Sequence, residues 1–393
     1  MGVVMPPDAL YVHFPWCVRK CPYCDFNSHT LHGELPQQAY LDALFADLEA
    51  QLLHFRCGPI QSVFLGGGTP SLFAPDALGR FFERVRQRLP IAPQAEITLE
   101  ANPGTIERGR FADYRAIGIN RVSLGAQSFD AAQLTTLGRI HGAQDTHAAV
   151  AELRAAGLDN FNLDLMYALP GQTLDGALAD LRTAIALSPK HISHYQLTME
   201  PGTVFGGRPP AGLPDDDLSF AMQQACQAEL ARAGYAHYET SAYARDGARC
   251  AHNLNYWRFG DYLGIGAGAH GKRTRIVDDR QFVVMRTVRE REPRRYLARG
   301  HRDEPVATEV ARADLPFEFM MNALRLVEGF DKVLFEMRTN LDWQEVQAPI
   351  NKLAGRGLLE SVPGAPGGWR PTELGQRFLN DVIAEFLPTR PEP

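Results

Sequence analysis

Between Leu10 and Ala233, six short apolar runs alternate with six amphipathic segments, and this alternation limits the fold more than any other feature of the 393-residue chain. The runs are Leu10 to Phe14, Ser62 to Leu65, Glu96 to Glu100, Arg121 to Gly125, Asn160 to Met166 and His191 to Leu197. The helical segments are Gln37 to Leu53, Pro75 to Arg88, Glu107 to Ile117, Thr146 to Ala156, Thr173 to Leu187 and Asp215 to Ala233. In the first of these, Tyr40, Leu41, Leu44, Phe45, Leu48 and Leu52 share one face. Pro75 and Asp76 open the second with Pro early and an acid in the first turn, which suits a helix N-terminus. Such alternation predicts an α/β protein with a parallel sheet and helices outside it, as an open doubly wound sheet or as a barrel.

The polar residues choose between the two. Glu100, Gln127 and Asp164 each stand at or near the end of a run, as do a cysteine loop after Phe14 and the triple glycine Gly66-Gly67-Gly68. Polar groups gathered at the carboxyl ends of parallel strands are what a barrel-type site requires. Six units rather than eight predict a partial (β/α)6 open barrel.

The cysteine loop runs from Tyr11 to His29, YVHFPWCVRKCPYCDFNSH, and holds Cys17, Cys21 and Cys24 in the spacing C-x3-C-x2-C. Three thiolates in one loop repel each other and are reactive, so a metal accounts for them better than idle core thiols do. Structural zinc takes four closed ligands, and the fourth would have to be His13 or His29. A cubane iron–sulfur cluster is normally held by four cysteines. Three leave one iron open, as a catalytic zinc keeps one position open for water or substrate. The ligand count favours the cluster and leaves zinc as the alternative.

Composition sets the class. With 45% apolar residues the chain can bury a sizeable core, and its length suits about two or three domains. No apolar run reaches the ~18 residues of a spanning helix, and Met1 to Asp8 has neither the basic start nor the apolar centre of a signal peptide. The expected compartment is the cytoplasm. Cys57, Cys226 and Cys250 are scattered and read as reduced structural thiols, not as a disulfide framework. A net charge of −6 argues against nucleic acid as a partner.

Past Tyr238 the pattern changes. Glycines crowd from Gly260 to Gly271, and from Lys272 to Arg302 eleven Lys/Arg face four acids, a net of +7. A solvated arm is the plain reading of that stretch; the anionic groups of a ligand, or peripheral contact with an anionic membrane face, are the sharper ones. From Leu315 the chain is helical. Ile350 to Leu359, the turn-rich Val362 to Trp369 and Thr372 to Leu387 outline a winged helix, so the expected domains are 1–305 and a smaller, mostly helical 306–393. Between Phe317 and Leu387 seven Lys/Arg meet ten acids, a net of −3, which is the wrong sign for neutralising phosphates. An interaction or lid module is expected there.

The C-x3-C-x2-C spacing after a first strand resembles the radical S-adenosylmethionine (SAM) superfamily. That resemblance implies a [4Fe–4S] cluster whose open iron is chelated by SAM, with one electron from the cluster cleaving the sulfonium. Y-x-H-x-P-x-C at Tyr11 to Cys17, GGGTP at 66 to 70, GAQSFD at 125 to 130, LGRIH at 137 to 141 and NLDLMYALPGQT at 162 to 173 narrow it further. With HYQLTMEPGT (194 to 203) and GIGAGAHG (264 to 271), they resemble the oxygen-independent coproporphyrinogen III oxidase family. Carried over residue by residue, the resemblance implies Cys17, Cys21 and Cys24 for the cluster. For SAM it implies Tyr11, Tyr23, Gly67, Gly68, Thr69, Glu100, Gln127, Arg139, Asp164, Thr198 and His270.

Two departures separate this chain from the oxidases. They carry a further cysteine two residues after the third, where Phe26 stands here, and a longer segment before the cluster, where this chain has sixteen residues. CPYCDFNSH with HNLNYW at 252 to 257 is instead similar to the HemW-type branch, heme chaperones that bind SAM and a cluster and hand heme to acceptor proteins. The implied partners are heme, an acceptor protein, and an electron donor if SAM is cleaved. The alternatives are oxidative decarboxylation of coproporphyrinogen III and, in a different class, a zinc-stapled protein-binding module.

HNLNYW has chemistry of its own. His252 is a candidate axial ligand for heme iron, with Tyr256 and Trp257 able to stack on a macrocycle and Cys250 as a rival ligand. A satisfied structural histidine is the other reading. The expectation is that heme docks outside the SAM cleft, on a separate surface that includes His252, with the basic 272 to 302 stretch meeting its propionates.

Overall fold

The computed structural model describes residues 8–55, 57–104, 110–245, 247–278, 281–303 and 305–388. Parts of three expectations lie outside these residues: the start of the N-terminal segment (1–7), the first residues of the helix expected from Glu107 (107–109), and Asp279 and Arg280 of the basic stretch.

All six expected strands form. They are β1 (Asp8–Phe14), β2 (Ile60–Gly67), β3 (Ile91–Ala101), β4 (Arg121–Gln127), β5 (Phe161–Tyr167) and β6 (His191–Gln196), parallel neighbours in chain order. The connecting helices are α1 (Gln37–Leu52), α2 (Pro75–Arg88), α3 (Phe111–Ala116), α4 (Ala143–Ala155) and α5 (Leu174–Ala186), and α6 (Asp216–Arg232) follows β6. Capping fixes several of their starts: Thr173 accepts the Gly176 amide and Asp215 the Leu218 amide.

Strands β1 to β4 run longer than the segments read from the sequence, and the two faces of the sheet differ. Leu10, Val12, Val63, Leu65, Ile97, Leu99, Val122, Leu124, Leu163, Leu165 and Ile192 point outward and pack on Leu41, Leu44, Leu48, Phe81, Phe82, Val150, Leu153 and Leu181 of the helices. Each such side chain contributes about 1.5–3 kcal/mol by leaving water, so the outer face carries the stability. The inner face has the opposite phase: Glu96, Thr98 and Glu100, then Arg121 and Ser123, then Asn162 and Asp164, then His191 and Ser193. Polar residues turned inward on parallel strands weaken a core and mark a site.

The sheet extends beyond these six strands. Asp261–Ile265 (β7) pairs in parallel with the free side of β1, placing Leu10 beside Leu263 and Tyr11 beside Gly264. His270–Ile276, Phe282–Val288 and Val306–Glu309 follow in antiparallel order, and at the far side Ala242–Ala244 and Ala236–Glu239 add to β6. The resulting twelve-stranded sheet has two separate edges, so the barrel is open. Gly264 sits where a Cβ would strike the His270 carbonyl, which is why this glycine-rich stretch can be a buried strand.

The basic stretch is a solvated arm only in part: Arg275, Arg291, Arg294, Arg295, Arg299 and Arg302 are exposed, whereas three of its cations are buried. Lys272 is buried 2.9 Å from Asp261, Arg289 is buried 3.1 Å from Asp47 of α1, and Arg273 is buried against Asp8. Arg286 pairs with Glu318 and Arg275 with Glu309. The local count missed acids that arrive from distant elements, and these cations hold β7 and its neighbours to β1 and α1 instead of facing a ligand.

The C-terminal part has a three-stranded sheet of Phe330–Asp331, Gly368–Pro371 and Leu359–Ser361, with helices Leu315–Ala323, Lys332–Thr339, Gln344–Gly355, Glu373–Arg377 and Leu379–Ala384. Its core of Phe319, Phe335, Trp343, Val346, Ile350, Val382 and Phe386 continues into Phe259 and Val284. Val306–Glu309 still pairs in the large sheet, so the helical part starts with Leu315.

Candidate functional site

Cys17, Cys21 and Cys24 lie on the loop that leaves the carboxyl end of β1. Trp16–Cys17 pairs with His29–Thr30, and the His29 amide donates to the Pro15 carbonyl at 2.7 Å. The Leu31 amide donates to Cys17 at 2.8 Å, and a turn closes the loop from the Cys24 amide to the Cys21 carbonyl at 3.2 Å. All three are free, half-buried thiols. Burial pushes the Cys17 thiol up to about 11, with Thr69 opposing, so a bound cation is needed for it to ionise near neutrality.

The histidines that would complete a zinc site are otherwise engaged. His13 is 5% exposed, with the Tyr11 hydroxyl 2.9 Å from Nδ1 and Nε2 2.9 Å from the Asn27 carbonyl. His29 Nε2 is 3.3 Å from Asn27 Oδ1. Among the described residues no three His, Cys, Asp or Glu side chains gather round one metal position. A cubane takes its cysteines at separate corners and requires no such convergence, so the loop fits a cluster.

The triple glycine holds this loop in place. His13 and Phe14 pair with Gly66 and Gly67 at the end of β2, and the amides of Gly68 and Thr69 donate to Phe14 and Trp16 at 2.6 and 2.8 Å. A Cβ on Gly68 would come within 2.6 Å of both carbonyls, and Gly67 adopts φ +106 with the His13 ring where its Cβ would be. Contacts within the protein thus account for both glycines.

Between the cysteine loop and helix α7 (Ala251–Trp257) lies a cavity of about 770 Å³. Tyr11, Tyr23, Gly67, Gly68, Thr69, Glu100, Gln127, Arg139, Asp164 and Thr198 line it together with the three cysteines. Arg139 Nη1 is 3.5 Å from Cys21 Sγ, while Nη2 donates to the Gly125 carbonyl at 2.8 Å and to Asn102 Oδ1. Asn102 in turn donates to Thr69 Oγ1 at 3.0 Å. Gln127 has a left-handed φ of 67 and accepts the Tyr195 hydroxyl at 2.8 Å. Asp164 accepts from Ser123 at 3.0 Å and Asn162 at 2.7 Å, and burial raises its pKa. Burial and the neighbouring Asp164 push Glu100 up to about 8. Two carboxyls share a low-dielectric wall and, among the described residues, neither forms an ion pair within 4 Å, an arrangement suited to a cationic ligand.

One expected residue, His270, lies outside this cavity, and another, His252, lines it instead of a separate surface. His270 is exposed at the start of its strand and does not line the cavity. His252 is 1% exposed at the floor of the barrel, so the separate surface expected around it is absent. Its Nδ1 is 3.0 Å from the Ser62 hydroxyl, its Nε2 is 2.8 Å from the Tyr256 hydroxyl, and Phe64 stacks on the ring at 5.1 Å. Burial lowers its pKa to about 3. Both nitrogens are in use, which makes His252 a pin between α7 and β2. Cys250 is also buried, its Sγ 3.5 Å from Glu96.

Residues 11–184 match the Radical SAM superfamily, and residues 310–378 match the HemN C-terminal domain. The chain is 47% identical to the heme chaperone HemW of Escherichia coli (strain K12), over 98% of this chain and 99% of that protein. The chain belongs to the HemW family. Another HemW, from Haemophilus influenzae, is 46% identical over 98% of both chains. The solved coproporphyrinogen III oxidase HemN of Escherichia coli shares the fold with a TM-score of 0.79, over 97% of this chain and 90% of that one, at 22% identity. The fold of this HemW family member is therefore the open radical SAM barrel with a smaller C-terminal unit.

Sequence reasoning missed several residues that shape the site: Asn27, Asn102, Ser123, Asn162, Ser193 and Tyr195. Asn27 donates from Nδ2 to the carbonyls of Ala267 and Arg291, both at 2.9 Å, fastening the cysteine loop to the turn after β7. The other signal was period two: Ser123, Asn162 and Ser193 alternate with Val122, Leu163 and Ile192 along the strands.

Proposed function

We propose that this protein is a heme chaperone of the radical SAM type, which binds a [4Fe–4S] cluster, SAM and heme and passes heme to an acceptor protein. The observation that carries the reading is the convergence of three half-buried thiols, Arg139, Glu100, Gln127 and Asp164 on one cavity, in a chain 47% identical to a HemW along its length. Cys17, Cys21 and Cys24 hold the cluster. Arg139, its fork fixed by Gly125 and Asn102 beside Cys21, pairs with the SAM carboxylate. Glu100 and Asp164 take the ammonium and ribose hydroxyls, with Tyr11, Tyr23, Gln127 and Thr198 as the wall. When bound, cluster and SAM supply one-electron chemistry at the sulfonium.

Gly67, Gly68 and Thr69 serve this site by locking the loop onto β2. Phe26, which replaces the further cysteine of the oxidases, argues against oxidative decarboxylation. The test is anaerobic product analysis with coproporphyrinogen III, dithionite and SAM, alongside titration with heme. Heme binding without protoporphyrinogen IX is the expected result. Stoichiometric carbon dioxide release from the propionates would contradict it. Among the described residues no helix is long and apolar enough to cross a membrane.

A further inference from the structure

We infer that the porphyrin plane of heme rests on the rim of the barrel mouth, against Val18, Phe26 and Ile140, directly over the SAM cavity. The inference rests on the heme-binding reading above. All three side chains line the opening of the cavity, and they are 40%, 58% and 56% exposed. Val204, also exposed, precedes Phe205, whose amide donates to the Pro22 carbonyl of the cysteine loop at 3.0 Å. Large apolar side chains gathered on one exposed rim mark a contact surface.

The occupant follows from what surrounds this rim. It adjoins a cavity suited to a polar cofactor, while the rim itself offers three exposed apolar side chains, which suit a ligand with a broad apolar face. Arg19 lines the same mouth and makes no hydrogen bond or ion pair among the described residues, which leaves a free cation for a carboxylate. Lys20 lies next to it, donating to the Phe26 carbonyl at 3.1 Å. Asp25 is the one acid on this loop between Cys17 and Ser28. A porphyrin with two propionates matches that pattern. Of the two other places considered for heme, His252 is pinned inside the barrel, and in the basic stretch Lys272, Arg273 and Arg289 are committed to buried acids.

Placing heme there makes the two ligands neighbours. Heme covers the opening through which SAM exchanges, so bound heme slows the release of SAM.

The test is titration of hemin into the full chain carrying its cluster, for wild type, Phe26→Ser, Ile140→Ser, the double variant and Val333→Ser. Val333 is 62% exposed on the helix Lys332–Thr339, far from the loop in sequence and outside the cavity lining. Each rim variant is expected to weaken hemin binding roughly tenfold, the order for one apolar side chain losing its buried face. The double variant weakens it further, Val333→Ser leaves it unchanged, and bound hemin slows SAM dissociation. Iron and sulfide content shows whether Phe26→Ser keeps its cluster; Ile140→Ser, off the cysteine loop, carries the test if it does not. Undiminished hemin binding by Ile140→Ser and the double variant overturns the location. Unchanged hemin binding with slowed delivery overturns it as well, assigning the rim to a protein partner. Absence of hemin binding by wild type overturns the functional reading itself.

Discussion

The Glu100 carboxylate accepts the Gly67 amide at 2.9 Å, so the group that shares the cavity wall with Asp164 is fastened to the strand end holding the cysteine loop. Its pKa lies at about 8 against a usual 4.5. Between these values the folded apoprotein keeps a proton that the unfolded chain has lost, so this group makes stability fall as pH rises from 4.5 to about 8. A bound ammonium favours the ionised form. SAM binding should therefore release protons below pH 8 and tighten as pH rises towards it, and Glu100→Gln should flatten the dependence. Calorimetry in buffers of different ionisation heats measures the release; pH-independent binding by wild type would remove Glu100 as the ammonium partner.

Cys17→Ala, Cys21→Ala and Cys24→Ala should each abolish cluster binding. Cys226→Ala, in the outer core near Met222, should keep the cluster and cost about 1 kcal/mol of stability, and Cys57→Ala should keep it as well. Iron and acid-labile sulfide analysis decides the matter, and zinc without sulfide in the wild type would contradict the account.

His252→Ala should destabilise the fold by about 2–4 kcal/mol, because it opens a hole beside Phe64 and strips the Ser62 and Tyr256 hydroxyls of their buried partner. The neutral imidazole adds a pH effect: with its pKa held at about 3, stability should fall as pH drops from the usual 6.5 towards that value. Urea unfolding reads both. Well below the melting temperature, hemin affinity should be retained; a selective loss of hemin at unchanged stability would restore His252 as an iron ligand.

Arg289→Met should cost about 3–5 kcal/mol, since it leaves Asp47 buried without its cation and with only the Tyr296, Gln51 and Gly266 hydrogen bonds. The loss should vary little with added salt. A small, salt-sensitive loss in urea midpoints would place the pair at the surface.

How far the chain could be read without coordinates depended on whether the signal was local. The six parallel strands and their helices were legible, because alternating apolar periods are written within each segment. So were the cysteine loop and the polar strand ends Glu100, Gln127 and Asp164. Strand β7 was not, because its register is set by pairing with β1, some 250 residues earlier, and its glycines look like a loop. The burial of Lys272, Arg273 and Arg289 was not legible because Asp261, Asp8 and Asp47 reach them only through the fold. His252 was placed on a surface because neighbouring aromatics look alike in sequence whether they cover a ligand or a barrel floor.

The most direct test of the central claim is heme delivery. The protein is reconstituted anaerobically with its cluster, loaded with hemin in the presence of SAM, separated from free hemin and mixed with the apo form of a heme-binding protein while the Soret band is followed. The account predicts that the band moves to that of the acceptor's holo form faster than free hemin exchange allows, with the iron and sulfide of the cluster retained. Hemin that never binds, or that reaches the acceptor no faster than free hemin does, would contradict it.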